Sequence, residues 1–192
     1  MANQAPNPIE LYEGAVQQIL PTLAGTTPSQ YELPTPCAEW SVQGLINHNI
    51  GVQNLTHAVL IKGVVDLSIM GDVNHPLPSE GGEVSVKTIT DSVLATLKSL
   101  NLEEIVETPF GSMPVGQFVM VPMADLVVHT WDLAKATGQS TKLDSGLSEV
   151  CLGVITMSAP MGREGGFFGP EISLPDHASV QDKLLGMSGR QP

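Results

Sequence analysis

Apolar positions recur every three to four residues along most of the chain, a period that predicts an all-α protein. Asn7-Pro8-Ile9-Glu10 combines a helix cap, a proline at the first helical position and a glutamate three residues after the cap. Ile9, Tyr12, Val16, Ile19, Leu20 and Leu23 then supply the apolar face of a first helix. Ser41 caps a second helix running to about Lys62, with Val42, Leu45, Ile46, Leu55, Val59 and Leu60 inward. A third helix is predicted over Val84 to Leu100, its stripe formed by Val93, Leu94, Leu97 and Leu100. A fourth covers roughly Val115 to Thr137 and stops at Gly138. Pro122 lies inside that span and must either kink the helix or mark its true start. Leu143 to Ser158 reads as a fifth helix, and Ser179 to Met187 as a short terminal one ending near Gly189.

Between these segments lie loops. Thr27 to Trp40 is rich in Pro, Thr and Ser, Pro76 to Gly82 is a strong breaker, and Gly162 to Pro175 is rich in Gly and Pro. Ile105-Val106-Glu107-Thr108 is β-like but too short to make a sheet protein. Four main helices joined by loops predict an antiparallel four-helix bundle with long loops and a short C-terminal helix, its cofactor sites between facing helices. The 192 residues fit a single domain, 1–192, with a core large enough to need no disulfide. Substrate choice is expected in the loops Gly71 to Gly82 and Gly162 to Pro170.

Charge narrows the partners. Twenty acidic residues against eight basic ones give a formal net charge of −12, with the basic residues scattered, which argues against nucleic acid. No segment has the apolar length of a membrane span, and Met1 to Pro8 lack the basic start and apolar run of a signal peptide, so a cytoplasmic protein off the membrane is expected. Cys37 and Cys151 lack zinc-type or redox spacing and read as free thiols. Arg163 and Arg190 are the only arginines, so an anionic substrate would have few guanidinium anchors. A homodimer is compatible with the sequence and not required by it.

The chemistry-bearing residues are few. Asp125 and His129 stand four apart in an apolar helical run, which puts a carboxylate and an imidazole on one face, one turn apart. An unpaired carboxylate there would be costly to desolvate, so a compensating cation is motivated, although a plain Asp–His hydrogen bond would also satisfy it. His48, on the second helix, would complete a set of two imidazoles and one carboxylate that leaves a divalent ion an open position. Taken alone, His48 is more often a satisfied core or boundary histidine. Asp132 lies near the same face as Asp125 and could accept an imidazole N–H. His57 falls on the opposite side of its helix from His48, and His75 and His177 read as solvated. Cys37 lies just ahead of a helix start, where a thiol could be reactive, but a small packed residue is the preferred reading. There is no G-x-S-x-G elbow, Walker loop or dinucleotide fingerprint, and Gly162-Arg163-Glu164-Gly165-Gly166 is too irregular to cradle phosphate.

Three segments also carry a resemblance: Thr35-Pro36-Cys37-Ala38-Glu39-Trp40-Ser41-Val42 running on to Asn47-His48; Asp125 to Ala134; and Phe168-Gly169-Pro170 through Gln181 to Leu185 and on to Gly189-Arg190. Together they resemble an actinobacterial-type metal-binding family related to the N-terminal domain of mycothiol-dependent maleylpyruvate isomerase, within the DinB/YfiT-like superfamily. The resemblance implies a DinB-like four-helix bundle with a divalent metal held by His48, Asp125 and His129. Zinc is the first expectation, with nickel or another divalent ion open, and mycothiol or another low-molecular-weight thiol is the implied second cofactor. Asp125 stands where the isomerase carries Glu. The isomerase's separate C-terminal domain has no counterpart in the resemblance, so maleylpyruvate isomerisation itself is not implied. The expected activity is a metal-dependent thiol reaction of the S-transferase or isomerase kind on a small-molecule substrate. Metal-assisted hydrolase or lyase chemistry without thiol, or non-catalytic binding of a small ligand or metal, are the alternatives.

Overall fold

The computed structural model of the chain describes residues 6–164 and 168–192. Helix α1 spans Pro8–Ala24, with the Asn7 side chain accepting from the Ile9 N–H at 3.0 Å. Helix α2 spans Val42–Lys62, capped by the Ser41 hydroxyl, and ends at Gly63 in the left-handed conformation at φ 60°. Helix α3 is Gly82–Leu97, two residues early at its start and three short at its end relative to the periodicity.

Strand β1, Ile105–Thr108, pairs antiparallel with β2, Gly111–Pro114, in a hairpin whose turn needs Gly111 at φ 97°. The β-like segment therefore has a partner. Gly-Ser-Met-Pro has no apolar alternation and gives no sign of a strand; the pairing is imposed by Thr108, which accepts from the Phe110 N–H and donates to the Gly111 carbonyl.

The predicted fourth helix is two. A short α4, Val115–Phe118, precedes α5, Met120–Thr137, which ends at Gly138 with φ 72°. Pro122 occupies the third position of α5, where an N–H would have no intrahelical acceptor, so it marks the start rather than a kink. Helix α6 spans Ser145–Glu164 and continues past the expected Ser158, with Pro160 inside it. Helix α7 is Val180–Met187, capped by Ser179. Residues 1–5, and the part of the predicted Gly-rich loop at 165–167, lie outside the described residues.

The described residues are thus mostly helical with one small two-stranded sheet. Among the described residues no helix is long and apolar enough to cross a membrane. Helix α1 packs on α3 and α5, α2 packs on α3 and α5, and α6 lies against α5 and α7. Helix α5 sits where these contacts meet: Met123, Ala124, Leu126, Val127, Val128, Trp131 and Leu133 are buried around nearly its whole circumference.

One buried hydrogen bond ties α1 to α2. The Tyr12 hydroxyl donates to Gln53 Oε1 at 2.6 Å, and Gln53 Nε2 has no protein partner. Tyr12→Phe would leave both ends of that amide unpaired at a cost of about 1–3 kcal/mol, whereas adding Gln53→Leu removes the orphaned groups and should recover most of it. Urea unfolding of the single and double variants measures both, and a double variant less stable than Tyr12→Phe would contradict this account.

Candidate metal centre

His48 lies on α2, while Asp125 and His129 lie one turn apart on α5; the packing of these two helices brings the three together. His129 Nε2 is 3.2 Å from Asp125 Oδ1, and His48 Nε2 is 3.4 Å from Asp125 Oδ2. One ligand atom from each residue lies within 4.8 Å of the others. With metal–ligand distances of about 2.0–2.2 Å, neighbouring ligand atoms in a tetrahedral site stand roughly 3.3–3.6 Å apart, so the observed spacing suits one divalent ion.

Two of these atoms are buried without a hydrogen-bond partner, His48 Nε2 and Asp125 Oδ2. They face each other at ion-pair distance without hydrogen-bond geometry. A polar core leaves few such atoms unless something else occupies the space between them. The side chains of His48 and His129 are 12% and 5% exposed and that of Asp125 is 25%, so Asp125 is the most exposed of the three.

The other nitrogen of His129 is also engaged. Nδ1 lies 2.9 Å from Asp132 Oδ2, and because a carboxylate only accepts, Nδ1 donates to it while Nε2 faces Asp125. Asp132 is fully buried. Its Oδ2 accepts from Arg190 Nη2 at 2.9 Å and its Oδ1 from Arg190 Nε at 3.3 Å. Cys37 Sγ stands 3.3 Å from Asp132 Oδ2 and accepts from Arg190 Nη2 at 3.1 Å.

These contacts set the charge states. Burial works against charge on Asp125, but His129 and His48 outweigh it and hold the carboxyl well below its usual range. Burial likewise opposes the His129 imidazolium, yet Asp125, together with the bonds to Asp125 and Asp132, raises it well above the ordinary histidine value. For Asp132 burial is again overcome, here by His129 and Arg190.

The loop before α2 is built by its own hydrogen bonds. The Thr35 hydroxyl donates to the Trp40 carbonyl and accepts from the Cys37 N–H, and the Trp40 N–H donates to the Cys37 carbonyl. This closed turn lays the Trp40 ring on His48, with centroids 4.3 Å apart and planes inclined by 31°. It also presents Cys37 to Arg190. Sequence reasoning prefers packing to a reactive thiol for Cys37 and gives Arg190 no partner; the signal for both is that they fall in the segments that carry the resemblance.

Asp132, by contrast, accepts a hydrogen bond from the imidazole N–H as its spacing suggests. His57 is half-buried on α2, His75 and His177 are exposed, and none joins a metal-capable cluster among the described residues. Cys37 and Cys151 are both free; Cys151 is sealed against Met123, and burial pushes its thiol up to about 12.

The profile of the mycothiol maleylpyruvate isomerase N-terminal domain matches residues 12–134, nearly two thirds of the chain and all three of His48, Asp125 and His129. The chain belongs to this family. Two relatives of similar length are proteins of Mycobacterium tuberculosis described as uncharacterized, from strains CDC 1551 / Oshkosh and ATCC 25618 / H37Rv. Each is 26% identical over 189 residues, covering 96% of this chain and 98% of the relative. Among solved structures, a histidine-to-alanine mutant of mycothiol-dependent maleylpyruvate isomerase superposes with a TM-score of 0.61 at 12% identity, over 90% of this chain and 76% of that one. The unmutated isomerase gives 0.53 at the same identity and coverage. The family fold therefore extends over most of the chain.

Proposed function

We propose that this chain is a divalent-metal-binding enzyme that uses a low-molecular-weight thiol in an S-transferase or isomerase type of reaction. The observation that carries the reading is the pair of unpartnered buried atoms, His48 Nε2 and Asp125 Oδ2, converging with His129 Nε2 at metal-ligand spacing. Two imidazoles and a carboxylate, without thiolate, suit zinc first and nickel or a similar ion next. An ion held there would supply a Lewis acid that favours the thiolate of a bound thiol.

The protein's own groups do the rest. Asp132 holds the His129 ring in the tautomer that presents Nε2. Trp40 covers His48 and keeps water from one side of it. The partly exposed Asp125 marks the side from which a small molecule can reach the three residues. Asp is one methylene shorter than Glu, and the 3.2 and 3.4 Å contacts put Asp125 within reach of both imidazoles despite that difference.

The family's description names mycothiol, which makes it the first thiol to test. The proposed activity extends to the class of reaction and not to maleylpyruvate. The contacts of α1 and α2 with α3 and α5 support a DinB-like four-helix bundle as the frame, and the continuous core supports a single domain.

Protein purified without chelators should carry close to one equivalent of divalent metal by elemental analysis. The loaded protein should consume an electrophile only when a low-molecular-weight thiol is supplied, and chelation should stop it. Wild type that neither carries metal nor takes it up would sink the reading; turnover without thiol would select hydrolase or lyase chemistry instead.

A further inference from the structure

Arg190 reaches the metal centre from beyond α7, yet it touches none of the three candidate ligands. We propose that it is a positioning residue for His129, acting through Asp132, so that the segment following α7 is a working part of the centre. The inference rests on the metal reading above.

The local backbone delivers the guanidinium. Gly189, at φ 83°, follows the last turn of α7; its N–H donates to the Gly186 carbonyl and the Arg190 N–H donates to the Leu185 carbonyl at 2.8 Å. This is the Schellman pattern, which turns the chain back across the helix end. Arg190 Nη1 then donates to the Ser188 carbonyl, and Lys135 of α5 donates to the Gln191 carbonyl at 2.7 Å. The residue is therefore held on both sides, and its side chain is only 10% exposed.

The contact it makes is directional. Nε and Nη2 address the two oxygens of one carboxylate, and such a fork fixes the carboxylate plane as well as its position. The same Oδ2 receives the His129 N–H, so the direction of that bond, and with it the rotation of the imidazole, follows from where the fork holds Asp132. Without the fork, the carboxylate torsion is broad, and Cys37 at 3.3 Å competes for the same oxygen. Partners that orient a ligating histidine commonly affect metal affinity by about 10–100-fold when lost. A guanidinium one step further out, but gripping the orienting group with two bonds, should approach the lower end of that range.

The plain alternative is an ion pair that merely pins the chain to α5. Cobalt(II) distinguishes the two, because its affinity and its visible spectrum report ligand geometry in the folded protein alone. Wild type, Arg190→Gln and Arg190→Lys are compared by chelator competition well below their unfolding temperatures. Arg190→Gln should bind cobalt about tenfold more weakly, with an altered visible band. Arg190→Lys keeps the charge but cannot span both oxygens, and should remain weaker than wild type. Free guanidinium at low millimolar concentration should restore part of the affinity of Arg190→Gln.

A purely structural pair would lower the unfolding midpoint of the metal-free protein and leave cobalt affinity and spectrum unchanged, which would overturn the inference. If Arg190→Gln does not fold, the same readouts on Arg190→Lys decide. A wild type that takes up no cobalt would overturn the metal reading and this inference with it; tight binding in wild type matched by the variants would overturn this inference alone.

Discussion

His129→Ala is expected to bring bound metal from about one equivalent to background, the largest effect on the centre of any single change. His129 is buried and engaged through both ring nitrogens, facing Asp125 at 3.2 Å through Nε2 and bonding Asp132 through Nδ1. Without it, His48 and Asp125 alone would have to hold the ion, and two protein ligands seldom retain zinc. The fold should survive. Asp132 keeps Arg190, and Asp125 is exposed enough to hydrate, so the loss for the metal-free protein should be on the order of 3 kcal/mol, toward the low end for removing one partner from a buried charged set. Elemental analysis beside circular dichroism separates the two effects, and a folded His129→Ala that keeps its metal would show that the ligands are others.

The raised pKa of His129 adds a pH dependence with a definite sign. In the metal-free protein the imidazolium stabilises the fold fully below the unfolded histidine value, about 6.5, and that contribution is lost as pH rises through the higher folded value. An ion at Nε2 takes the place of the proton as the cation facing Asp125. Metal uptake should therefore release a proton at neutral pH, tighten as pH rises, and protect the protein most where the metal-free form has weakened. Calorimetry in buffers of different ionisation enthalpy counts the proton, and an affinity independent of pH would contradict the assignment.

Leu126→Ala should be the largest stability effect argued from packing. Leu126 is fully buried beside Asp125 in the helix that α1, α2 and α6 all touch. Truncating a leucine in such a place costs roughly 2–5 kcal/mol, with the upper half expected where rigid helices on several sides resist collapse into the cavity. For a chain of this size that corresponds to a fall in Tm of about 7–20 °C, and the denaturant midpoint should drop with an unchanged slope. Metal binding by the folded variant should persist, since Asp125 and His129 hold to the α5 backbone and not to the leucine. A cost under 1 kcal/mol would mean that α5 is not the centre of the core.

Much of the fold and part of the centre are legible in the sequence, for a local reason. The starts of α1 and α2 are written in Asn7-Pro8 and Ser41, the ends of α2 and α5 in Gly63 and Gly138, because caps and left-handed glycines act within one turn. The Asp125/His129 face follows from helical spacing alone, and Asp132 beyond it from the same periodicity. Where a local signal is weak, the sequence misleads: β2 has a composition no strand rule selects, and α6 runs through Pro160 past its expected end.

The sequence by itself determined the helical class, the acidic surface and the face of one helix on which a carboxylate and an imidazole meet. Tertiary structure decided what completes that face. His48 joins it only because α2 packs against α5, and Trp40 and Cys37 only because the Thr35 turn folds back on itself ahead of α2. Arg190 joins because the Gly189 turn swings it onto Asp132, a residue 58 positions earlier in the chain. Contacts within one turn are set by bond geometry, whereas contacts across such separations exist only once whole helices have docked, and no periodicity encodes which partner they will find.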